Sequence, residues 1–263
     1  MGKQDPTDDD VKDADLKADE VDAVADDEDE LAADDDELSA DEDADDELVD
    51  DDDDVVGFVD EAGEDEQSLD TALFWTDVEI DPVEIALPSG VGLTLRHYRA
   101  TEDDDGDEIE EAVFLAHRGK LHLFRSPEGL VEFINSDAPH DLTELDDWPQ
   151  VVRRCRPEDL VPTDEDKYEL DLVVENLRGG HDVWESELLI PAGEVARDIA
   201  FACELDDVLA ALAPGSPLDD LDEGLRDGGF LARRRLKKVG AEQAAIAWRS
   251  VIGKISAAVE WHD

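Results

Sequence analysis

The chain's six histidines and two cysteines are the side chains best suited to metal or nucleophilic chemistry. His117 and His122 lie five apart across a turn signal, and His97 lies in a neighbouring strand pattern. If the strands pair, three imidazoles on one sheet offer a zinc set. No carboxylate or cysteine stands at a recognised ligand spacing from them, so histidines packed as ordinary side chains are the stronger reading, and no metal residue is assigned. Cys155 and Cys203 are too few for a disulfide framework or a zinc knuckle. Ser126 has no Gly-x-Ser-x-Gly turn around it and reads as a helix cap. Leu87-Pro-Ser-Gly-Val-Gly92 lacks the Lys-Ser/Thr ending of a phosphate loop. Asp103-Asp-Asp-Gly-Asp107 lacks the spacing and terminal Glu of a calcium loop. The reading is therefore a protein that is not an enzyme, with no catalytic residue and no cofactor.

The residues that most resemble an interaction site are basic. Arg233, Arg234, Arg235, Lys237 and Lys238 place five of the 22 basic residues within six positions. They attract whichever anion is nearest, and a tethered acidic segment of the same chain has a high effective concentration. Nucleic acid is the other reading, but the net charge of −56 repels phosphate backbones and no aromatic residue interleaves with the cluster. A protein partner or client is the expectation, with direct nucleic-acid contact disfavoured. Phe58, within Val55-Val-Gly-Phe-Val59, is the second candidate contact, as an apolar docking segment inside the acidic region; the stronger reading of the apolar residues there is that Leu73 to Trp75 begin the folded domain.

Charge divides the 263 residues unevenly. Residues 1–70 carry 35 acidic and 3 basic side chains, and residues 71–263 carry 43 and 19. Such a tail buries too little apolar surface to offset a backbone ordering cost of about 1–2 kcal/mol per residue, so residues 1–75 read as a disordered acidic tail that solubilises the chain or recruits a basic client. No apolar run approaches a membrane span, and Met1-Gly-Lys-Gln-Asp-Pro-Thr-Asp-Asp-Asp10 has no signal-peptide pattern. The expectation is a cytoplasmic protein without membrane insertion.

Residues 76–263 carry the elements that would position any site. Val83, Ile85 and Leu87 alternate, Pro88-Ser-Gly90 turns, and Leu93 to Tyr98 alternates again, predicting a hairpin. Ala112 to His117, Arg118-Gly119 and Lys120 to Phe124 predict a second. Ser126-Pro127-Glu128 starts a helix that presents Leu130, Val131, Phe133 and Ile134 to the sheet. Helical patterns follow: Tyr168 to Leu177 before Gly179-Gly180, Pro191 to Leu205, and a long stripe from Ala241 through Trp248, Val251, Ile252 and Ile255 to Val259. The predicted fold is α+β: a small antiparallel sheet with a covering helix over 80–135, then a helical half over 140–263, preceded by the acidic tail.

Three stretches carry a family resemblance. They are Pro82 to Leu87 with Glu111 to His117 and Lys120 to Ile134, then Asp141 to Pro149 with Asp166 to Val173, then the closing Trp248, Ile255 and Val259 helix. Together they resemble the acidic actinobacterial proteins labelled "primosomal protein", which include the mycobacterial SatS type. The resemblance is read as one to the N-terminal part of that type, with a further C-terminal domain lacking here. It implies a chaperone or adaptor for clients of an accessory SecA export pathway; the label itself implies the alternative, a replication or primosome factor acting through protein contacts or DNA mimicry.

Overall fold

The computed structural model describes residues 61–102, 106–227 and 236–263. Val55 to Val59 with Phe58, and Arg233, Arg234 and Arg235, lie outside them.

The sheet starts as predicted, from local pairing. Strand β1 (Ile80–Leu87) and β2 (Gly90–Glu102) form a hairpin whose register runs from Leu87↔Gly90 to Ile80↔His97. Strand β3 (Glu108–Phe114) folds back on the far half of β2. Then β4 (Ala116–His117) pairs β5 (Lys120–Phe124) across Arg118-Gly119, both at positive φ. That backbone is the primed turn that matches strand twist in a two-residue hairpin.

Two further strands make the sheet mixed rather than purely antiparallel. β6 (Lys167–Glu169) runs parallel to β1, and β7 (Val259–His262) runs parallel to β5. The order is β4-β5-β2-β1-β6, with β3 on β2 and β7 on β5, seven strands in all. Parallel partners come from distant sequence, so neither short strand has a hairpin signal of its own.

Helices cover both faces. The alternation of β1 and β5 puts Val83, Ile85, Leu87, Leu121 and Leu123 on one side. There they meet α4 (Leu170–Arg178), α5 (Ser186–Ala202), α6 (Asp206–Ala211), α7 (Pro217–Asp227) and the C-terminal helix Ala241–Ala258. The opposite face presents Ile80, Leu95, Leu115 and Phe124 to α1 (Glu61–Val78), α2 (Pro127–Ile134) and α3 (Trp148–Arg154). The domain is thus α+β in three layers, with the sheet in the middle.

Details of the helices follow local chemistry. Ser126 caps α2, its Oγ accepting from the Gly129 N–H at 3.1 Å. Leu130 and Ile134 are the buried anchors of that helix, and Val131 and Phe133 are half-buried beside them. α5 begins five residues before Pro191, because the Leu188 and Leu189 amides bond back to the Glu185 carbonyl and only one helical bond is lost at the proline. The helix α1 runs through residue 75, where the charge pattern placed the division; Phe74, Trp75 and Val78 are buried in the core.

One charge is buried between sheet and helices. Arg96, 5 % exposed, donates to Asp166 Oδ1 at 2.7 Å and to the Tyr168 hydroxyl at 2.7 Å, and its guanidinium lies 4.6 Å over the Tyr98 ring. Tyr98 in turn donates to Asp198 of α5 at 2.7 Å. The Arg96–Asp81 contact at 3.4 Å is weaker, since Asp81 is 45 % exposed on its side chain. Removing one member of such a cluster strands its partner away from water. Arg96→Ala should therefore lower unfolding free energy by about 3–5 kcal/mol in a urea titration. A loss below 1 kcal/mol would mean that Asp166 and Tyr168 are satisfied without it.

Candidate functional site

The described surface has an open groove of about 550 Å³ between α1 and the segment that follows α3. Thr71, Ala72, Trp75 and Thr76 form one wall; Glu158, Val161, Pro162 and Thr163 form the other; Asp81, Pro82 and Asp166 close its end. Its volume is in the range of pockets that hold ligands or peptide side chains.

The walls are held by a few specific contacts. The Trp75 indole N–H donates to the Asp159 carbonyl at 2.7 Å, and Thr71 Oγ1 donates to Asp159 Oδ1 at 2.9 Å. The other carboxylate oxygen of Asp159 accepts the Arg156 amide at 2.9 Å, closing a turn begun by Pro157. Arg154 adds an ion pair to Asp70 at 2.7 Å and lies 4.5 Å over the Phe74 ring. The groove is therefore pre-formed, with α1 tied to the 157–159 turn at both ends of its contact. Val161 is 65 % exposed, and Leu73, beside Ala72 on α1, is 63 % exposed. Val161 is an apolar side chain left in water in a cleft that also carries Glu158 and Asp81.

A second groove, of about 500 Å³, lies between the start of α7 and the start of the C-terminal helix, lined by Leu218, Val239, Ala244 and Ala247 with Lys238 on its edge. Of the basic cluster, Lys237 and Lys238 are described and exposed.

The histidines are redistributed relative to the sequence reading. His97 is spent on the Glu79 carbonyl, 2.6 Å from Nδ1. His117, at the turn end of β4, is likewise outside the one cluster of described residues that is placed to hold a metal ion. That cluster is His122, Glu260 and His262. His122 comes from the predicted trio, while Glu260 and His262 come from β7. The sequence reading missed them because it carried the last helix into Val259. The signal was there: Val259-Glu-Trp-His262 alternates with period two after a helical stripe.

Both cysteines are buried and free, and burial pushes each thiol up to about 12. At neutral pH neither supplies a thiolate. His140, packed 4.5 Å edge-on against Trp148, is held down to about 4, first by burial and then by the charges of His122 and His117.

The profile of the family described as SatS C-terminal domain matches residues 80–256. A crystal structure described as the SatS C-terminal domain in complex with bromine superposes with a TM-score of 0.57 at 24% identity, covering 72% of this chain and 97% of that one. That likeness is one of fold. A comparison with curated proteins gives no match. The relation is to the C-terminal domain, which corrects the expected N-terminal one. All three resembling stretches fall within or end beside the matched range, but apolar patterning alone does not say where along a relative they belong. Neither match carries the primosomal label. No described helix is long and apolar enough to cross a membrane.

His140 generates a pH prediction. Its folded-state affinity for protons is depressed, so the unfolded chain binds the proton more readily and stability falls as pH drops below about 6.5. The loss should approach about 2–3 kcal/mol by pH 4. Urea titrations from pH 7.5 to 4.5 should show that slope in the parent and a shallower one in His140→Phe. Equal slopes would place the acid sensitivity elsewhere.

Proposed function

The chain belongs to the SatS C-terminal domain family, and from that premise we propose that it is a non-enzymatic, chaperone-like protein that holds clients destined for export. The observation that carries the reading is the groove between α1 and residues 158–163, which combines apolar side chains with the carboxylates of Glu158 and Asp81. Targeting segments of exported proteins combine a positively charged stretch with an apolar one. Trp75, Ala72, Val161 and Pro162 suit the apolar part, and Glu158 and the half-exposed Asp81 suit the positive part, Asp166 being spent on Arg96 and Thr163. The net charge of −56 adds long-range attraction for a basic segment, screened by salt. Two thiols kept neutral by burial fit a role without covalent chemistry. The N-terminal acidic residues would keep a bound client soluble or help to recruit it, from a cytoplasmic location.

The test uses a fluorescent peptide with two lysines followed by a leucine- and valine-rich stretch. Replacing both Ala72 and Val161 by Gln leaves the core untouched, since both side chains lie on the surface. Loss of a buried valine contact is worth about 1.5 kcal/mol, so affinity should fall by about tenfold or more. Unchanged affinity, combined with a loss in Ala247→Gln, would move the site to the second groove. No binding by the parent protein would end the proposal.

A further inference from the structure

We propose that His122, Glu260 and His262 form a binding site for a divalent transition-metal ion of the zinc class, which fastens the C-terminal strand to the sheet. The inference is independent of the client-binding groove. The register of β5 and β7 sets His122 opposite Glu260 and Phe124 opposite His262, so all three potential ligands project from adjacent strands on one face. His122 Nδ1 and His262 Nε2 are 3.0 Å apart, and one ligand atom each from His122, Glu260 and His262 lie within 4.8 Å of one another. Two imidazole nitrogens on a tetrahedral zinc, each at about 2.0–2.1 Å, stand about 3.3 Å apart, so the rings need only separate by a few tenths of an ångström. Glu260 is exposed, and its long side chain has the rotamer freedom to close the remaining distance.

The rings are pre-positioned. His262 stacks on Phe124 with a centroid distance of 4.6 Å and an interplanar angle of 16°, and Phe133 packs 5.0 Å from His122 and 5.4 Å from His262. The strand that carries Glu260 and His262 is itself seated: the Arg125 amide donates to the His262 carbonyl at 3.0 Å, and Trp261 packs over Gly92, where a Cβ would come within 2.7 Å of the ring. His122 is 7 % exposed, and its Nε2 has no hydrogen-bond partner. In the hydrogen bond between them, one ring donates its N–H and the other accepts. Metal entry moves that proton to the other nitrogen of its own ring, through solvent, and frees both lone pairs without net proton release. Two imidazoles and one carboxylate suit zinc and its first-row neighbours, not calcium or magnesium, which prefer all-oxygen sets. Water would complete the coordination.

The full chain is titrated with ZnCl₂ and with CoCl₂ in millimolar magnesium, which occupies loose carboxylate sites elsewhere in this acidic protein. One equivalent of zinc should bind to the parent. In the Glu260→Gln, His262→Gln double variant, affinity should fall by more than the roughly 10–100-fold that losing a ligand's hydrogen-bond partner causes. Zinc should raise the parent's melting temperature and slow carboxypeptidase removal of the last residues, and do neither in the variant. The cobalt complex should show imidazole ligation by shifting the His122 and His262 nitrogen resonances. Superimposable zinc isotherms for parent and variant, or cobalt that leaves those resonances unchanged, would overturn the site.

Discussion

A sheet with apolar side chains on both faces has to be covered twice, and that constraint organises this molecule. Val83, Ile85 and Leu87 look one way along β1 while Ile80 looks the other; Leu121 and Leu123 oppose Phe124 along β5. At about 25 cal/mol per Å² of apolar surface, neither face can be left in water. The helical half after residue 170 covers the first face, and α1, α2 and α3 cover the second. The helix α1 thereby becomes structural through Phe74, Trp75 and Val78, although it grows out of the most acidic part of the chain.

That double cover explains where the surface stays open. α1 is held to the post-α3 segment by the Asp159 tethers from Thr71 and Trp75, leaving Thr71, Ala72 and Thr76 against a cleft. The polar tethers fix the walls without filling the space between them, which is what a binding groove requires of its scaffold. Inside the fold the polar groups are instead concentrated: Arg96 joins β2 to β6 and its preceding turn, and Tyr98 joins the same strand to α5. β2 thus carries both the central register and the main buried polar link between layers.

How much of this was legible depended on the sequence distance of each contact. The hairpins and the Ser126 cap are local, so alternation, turn residues and a Ser-Pro-Glu start were enough to place them. Coverage of the second face by α1 was legible only in part: Phe74 and Trp75 are core, as the start of the folded domain would have them, but Leu69 and Leu73, at helical spacing, look like core yet are exposed. The parallel strands β6 and β7 were hidden for a different reason: each is three or four residues long and pairs with a strand more than 80 positions away. The same separation concealed the histidine pair, since His122 and His262 are 140 residues apart and no ligand spacing can reveal them. The family profile placed the chain in its family, while apolar pattern and short phrases had assigned it to the wrong end of the relative.

The central claim, that clients occupy the cleft between α1 and residues 158–163, is tested most directly by hydrogen–deuterium exchange of the full chain with and without a saturating basic–apolar targeting peptide. Slowed exchange confined to residues 69–76 and 157–166 is the expected result. Protection centred on residues 217–220 and 239–247, or none anywhere while the peptide is bound, would contradict it.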